Sequence, residues 1–165
     1  MRTKLITMLL IFLLPAALSA QAETPTKPVL TLSAAKKAVE AAEMEAAKRG
    51  ATVVIAVVDD GGQLILLERL DDTQVASVEV GIGKARTAAI FRRPSKVFED
   101  QIRDGRVAAL ALPGATPLQG GIPIIIEGKV VGAIGVSGNT PQEDEEIALV
   151  GASAVSDKTV SGEIQ

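Results

Sequence analysis

The chain has 165 residues, with 17 basic and 20 acidic side chains, a net charge of −3, and no His, Cys, Tyr or Trp. It therefore lacks Ser-His-Asp and Cys-His nucleophile pairs, zinc sites built on imidazole or thiolate, and any disulfide. An acidic balance without a basic block argues against nucleic acid and anionic membrane surfaces as partners.

Residues 1–22 read as a cleaved export signal. Arg2 and Lys4 make a basic start, Leu5 to Leu14 an apolar run, and Pro15 breaks it. Ala20-Gln21-Ala22 supplies the small-x-small cleavage pattern. The run is too short to cross a bilayer, which takes about 20 apolar residues. The mature chain then begins at Glu23 and holds 143 residues with a net charge of −5, the size of one domain. Its expected destination is the periplasm or the exterior, with no membrane association after cleavage.

Residues 23–30 are expected to form an exposed arm, residues 31–157 the domain, and residues 158–165 a polar tail. Leu32 to Arg49 has helical spacing, with Ala35, Val39, Ala42 and Ala46 on one face, Ser33 as the expected cap and Gly50 as the stop. Met44 falls off that face. Thr52 to Val58 is β-branched and nearly continuous, the pattern of a strand buried on both sides. Asp59-Asp60-Gly61-Gly62 joins it to Gln63–Leu70 as a hairpin. The acidic pair lacks the alternating Asp spacing of a calcium loop and reads as turn chemistry.

Thr73 to Arg93 is a second expected helix, closed by Pro94, and Ser95 to Arg103 a third. Val107 to Leu112 is expected as a short strand. After the loop at residues 113–117 come two strands, Ile122–Ile126 and Val130–Val136, around the turn Glu127-Gly128-Lys129. Thr140, Pro141 and Glu143 spell a capping box with proline at the first helical position, which accounts for the acidic run Gln142–Glu146 at the start of a last helix. Hairpins dominate and no βαβ unit recurs. The expected class is α/β of the α+β type: one layered domain with a mostly antiparallel sheet flanked by helices.

No nucleotide motif survives inspection. Gly83-Lys84 is followed by Ala85 rather than Ser or Thr, and Gly81-Ile82-Gly83 sits inside a helical pattern with Arg86 at the third glycine position. The glycines of residues 117–138 support two readings equally, tight helix-on-sheet packing and close approach of a ligand. Arg86, Arg92, Arg93 and Lys96 likewise read either as cations complementing a helix dipole or as an anion site.

Three stretches carry a resemblance: IAVVDDGGQLILLERLDD (55–72), KARTAAIFRRPSKVFED (84–100) and LPGATPLQGGIPIIIEGKVVGAIGVSGNTPQEDEE (112–146). With the first helix they resemble the GlcG/HbpS-like family, small domains found alone or behind PduO-type cobalamin adenosyltransferases. The resemblance implies a profilin-like layout, assembly into homo-oligomers, and haem or a related tetrapyrrole as ligand in some exported members. It places the family's Gly-Gly bend on Gly120 and Gly121, and its Lys-Ala-x-Thr helix on Lys84, Ala85 and Thr87.

The expected function is thus an exported, oligomeric binding protein for haem or a similar carboxylated ligand. Gly120, Gly121, Ile122 and Thr87 would line the site, and Lys84, Arg86, Arg92 and Arg93 would pair with carboxylates. Met44 is the mature chain's one residue of the usual axial-ligand types, so Thr87, Thr116 or Thr140 remain as oxygen donors. One rival reading is an enzyme or sensor for a small organic acid, with Lys84 or Arg86 holding the carboxylate and Glu99 as base. Another is a packing module that associates through a helix face of Gly81, Ala85 and Ala88.

Overall fold

Apolar periodicity decides the layers. In the computed structural model, residues 24–157 are described, so the expected export signal (1–22) and the expected C-terminal tail (158–165) lie outside the described residues. Helix α1 (Leu32–Arg49) buries Ala35, Ala38, Val39, Ala42 and Ala46, one stripe at helical spacing. Its cap is Thr31 rather than Ser33: Thr31 Oγ1 accepts from Ala34 N at 3.2 Å, and Gly50 closes the other end at φ 64°. Met44 stands exposed.

Four strands follow: β1 (Val54–Asp59), β2 (Leu64–Arg69), β3 (Gly121–Ile126) and β4 (Lys129–Ser137). They form one antiparallel sheet in the order β2-β1-β4-β3. The β1–β2 turn is held by Asp59, whose Oδ1 accepts from Gln63 N at 2.8 Å. The β3–β4 turn has Glu127 and Gly128 at φ 52° and 70°, the paired left-handed conformation that matches strand twist. Pro123 has no ladder donor and sits on β3, an edge strand, where that omission is tolerated.

Alternation along the strands divides the interior in two. Val53, Ile55, Val57, Ile122, Ile124, Ile134 and Val136 pack under α1 and under α4 (Pro141–Ser153), together with Ile147, Ala148 and Ala152. The opposite face meets α2 (Ser77–Phe91) through much smaller residues: Val58, Ala85, Ala88, Ala89 and Ala133. Small residues let α2 approach the sheet closely. A Cβ placed on Gly135 would lie 2.2 Å from Gly81 O and 2.5 Å from Ala85 N, so backbone meets backbone there. Gly81, Ala85 and Ala88 are all buried within the chain. The helix face that the sequence offers for association between copies is therefore consumed inside the domain.

Two expectations need correction. Residues 73–76 lie outside α2, with only 75–76 in a turn, and Thr73 Oγ1 donates to Leu70 O at 2.7 Å. Val107–Ala111 is a 3-10 segment, not a strand, and packs with α3 (Lys96–Arg103). Three of its five residues are alanine, a poor strand former, and Val107 and Leu110 point to solvent. Among the described residues the fold is a single α+β domain with an open four-stranded antiparallel sheet and four α-helices.

Candidate functional site

Helical spacing on α2 puts Lys84, Thr87 and Ala88 on one face, and the bend at Gly120-Gly121 runs against it. A Cβ on Gly121 would fall 2.2 Å from Lys84 O, and one on Gly120 would fall 2.8 Å from Val136 O and 3.0 Å from Lys84 Nζ. The bend is thus pressed onto α2 by the protein's own backbone. Ser95 fastens it: its Oγ accepts from Gly121 N at 2.8 Å, and its N donates to Gly121 O at 3.0 Å. Thr87 anchors the preceding loop, accepting from Thr116 N at 2.7 Å while its hydroxyl donates to Gly83 O at 2.7 Å. Ile122 turns to the other face, into the core beneath α4.

Lys84 is the centre of this region. Its side chain is only 5% exposed, yet Nζ donates to Val136 O at 2.9 Å and to Asp144 Oδ2 at 2.8 Å. Asp144 Oδ1 in turn accepts from Asn139 N at 3.0 Å. The pair borders a cavity of about 210 Å³ that Glu99, Gln119 and Ser137 also line. Glu99 Oε2 accepts from Gln119 N, and Gln119 Nε2 donates to Glu145. Lys84 and Glu99, which the small-acid reading joins, therefore do share one cavity.

The cations of the α2–α3 corner are dispersed. Arg86 Nε donates to Gly62 O at 3.2 Å and covers the β1–β2 turn. Arg93 Nε donates to Phe91 O at 3.2 Å, and its guanidinium lies 5.9 Å from the Phe98 ring centroid. Lys96 Nζ donates to both carboxylate oxygens of Asp100, at 2.8 and 2.9 Å. That hydrogen bond, with the Lys96 and Arg103 charges, holds the Asp100 carboxyl below the usual range against the opposing effect of its partial burial.

Arg92 is the exception, since no protein acceptor for its guanidinium occurs among the described residues. It caps α2 in the left-handed conformation, φ 55°, and faces a separate groove of about 590 Å³. The groove runs between the N-terminal arm, with Pro25, Thr26 and Lys27, and the β3–β4 hairpin, with Ile125, Lys129 and Val130. Asp60 stands at its rim, ion-paired with Lys27. Sequence reasoning left out Asp144, Gln119, Lys27 and Lys129. Asp144 lay hidden in a run that the capping box already explained, and no local signal marks a partner 60 residues away. Among the described residues no cluster of three His, Cys, Asp or Glu side chains is placed to hold a metal.

Comparison with known proteins adds the family. Residues 30–153 match the family model described as haem degrading protein HbpS-like. Protein GlcG of Escherichia coli K12 is 41% identical over 112 residues, covering 68% of this chain and 84% of GlcG. The crystal structure of a double mutant of HbpS from Streptomyces reticuli superposes with a TM-score of 0.75 at 31% identity, over 84% of this chain and 95% of HbpS. A PduOC:haem complex superposes at 0.71 and 23% identity, over 78% of this chain and 96% of that one, a likeness of fold. With the same layered sheet and a family match over most of its length, the chain belongs to the HbpS-like family.

Proposed function

We propose that this protein is an exported, oligomeric binding protein for haem or a related carboxylated tetrapyrrole, held in the groove at Arg92. One observation carries the reading: a groove of about 590 Å³ in which Lys27, Arg92 and Lys129 surround an apolar floor of Pro25, Ile125 and Val130. Its volume falls in the range of about 300–1,000 Å³ that takes up ligands of this size, whereas the cavity at Lys84 lies below it. Asp60 offsets Lys27. That leaves Arg92 and Lys129 for two carboxylates, with the guanidinium suited to bidentate pairing.

The fit is to the size and the carboxylates of a tetrapyrrole. It is not a fit to strong iron ligation, because the groove offers no His, Cys, Met or Tyr and only the hydroxyl of Thr26 as a side-chain oxygen beside Asp60. Ligand retention then rests on ion pairing and apolar contact, with iron left weakly coordinated. The family description supports haem as the ligand class. The basic start and apolar run of residues 1–14 support export.

Hemin titration followed at the Soret band tests the reading. A saturable shift to a high-spin-type spectrum, weakened by salt, is expected. A flat response, or a low-spin spectrum with two strong ligands, contradicts it. Light scattering on the purified protein checks assembly, and N-terminal sequencing of exported material checks cleavage after Ala22.

A further inference from the structure

The cavity beside Lys84 shares no lining residue with the groove at Arg92. We propose that it is a second binding site, for a small uncharged polyhydroxy compound of about the size of glycerol. Its volume of about 210 Å³ lies below the range of about 300–1,000 Å³ usual for drug-sized ligands, which suits a ligand of a few heavy atoms.

The chemistry of the walls sets the class. Lys84 spends two of its three ammonium hydrogens on Val136 O and Asp144 Oδ2, which leaves one for the space it borders. Glu99 uses Oε2 on the Gln119 amide and keeps Oε1 as an acceptor. The buried Gln119 donates through Nε2 and keeps its own Oε1. Ser137, also buried, adds a hydroxyl that both gives and takes. Donor and acceptor capacity therefore converge on one small volume, with Val80 and Leu118 as apolar walls.

Charge narrows the class further. A ligand carboxylate would face Glu99 and Asp144, while the one cation of the lining is already paired. A ligand ammonium only donates, and has no lone pair for the remaining hydrogen of Lys84. An uncharged compound whose hydroxyls donate to Glu99 and Gln119 and accept from Lys84 meets neither difficulty.

The test is an amide NMR titration of the labelled protein with glycerol, run beside glycolate and ethanolamine. Saturable glycerol shifts at Gln119, Asn139 and Asp144 are expected, unchanged when hemin is present. Glu99→Gln should weaken glycerol about tenfold through loss of a charge-assisted hydrogen bond and should strengthen glycolate. Leu118→Trp, at an exposed position of the cavity wall, should abolish the shifts without touching the polar network, and so serves even if Glu99→Gln disturbs folding. Shifts that never saturate, that persist in Leu118→Trp, or that are tighter for glycolate or ethanolamine than for glycerol overturn the proposal.

Discussion

Lys84 and Asp144 form an ion pair at 2.8 Å with side chains only 5% and 3% exposed, and it ties α2 on one face of the sheet to the first turn of α4 on the other. Gly120 makes the pair possible, because any side chain there would collide with Lys84 Nζ.

Removing one partner strands the other in a site that water hardly reaches. Asp144→Ala is expected to cost about 3–5 kcal/mol, read as a lower urea midpoint. Lys84→Met combined with Asp144→Leu should recover most of that loss, since both charges then leave together. A single variant as stable as the parent would show that the pair is not the buried tie described here.

Arg92 holds a left-handed backbone conformation that glycine adopts without penalty and that is the usual glycine position after a helix. Arg92→Gly is therefore expected to raise stability by about 1 kcal/mol. The same change should weaken hemin about tenfold, the value of one charge-assisted contact. Opposite signs for stability and affinity would mark Arg92 as retained for binding. Unchanged hemin affinity would remove it from the site.

Backbone contact between α2 and β4 leaves no room for a methyl group. Gly135→Ala would set a Cβ 2.2 Å from Gly81 O, and is expected to cost about 3 kcal/mol or more in chemical denaturation. Gly105→Ala has open space around it and only its φ of 97° to pay for, so a loss of about 1 kcal/mol is expected. Equal losses at the two positions would mean that α2 yields easily.

Acid should weaken the surface pairs. Glu45 is held below its usual range by hydrogen bonds from Arg49 and Lys48, and Asp100 by those from Lys96 and Arg103. Both carboxyls have folded values below their unfolded ones. Their contribution is therefore complete above the ordinary carboxylate range and is lost as pH falls below about 4, through the lowered values. Both pairs are solvated, so the loss is small and shrinks further in salt. Asp100→Asn should flatten part of the decline in urea midpoint between pH 6 and pH 2.5. A midpoint that rises on acidification would contradict the assignment.

The sequence by itself determined the elements whose signals are local. The Thr140–Pro141–Glu143 box, the glycine stop after Arg49, the Asp59 turn and the Glu127-Gly128 hairpin depend on contacts within about four residues, and all stand where those residues predict. It also determined the antiparallel α+β class, because strand runs separated by tight turns leave little choice of topology. The strand expected at residues 107–112 failed where its signal was weakest, in an alanine-rich stretch that no sheet edge took up. Only the tertiary structure decided the rest. It paired Lys84 with Asp144 across 60 residues, assigned Gly81 and Gly135 to each other, and scattered Arg86, Arg92, Arg93 and Lys96 around a corner where the sequence set them side by side. Burial is the reason: which charge loses its water, and which partner must then be found for it, is settled by how the layers stack and not by what stands next in the chain.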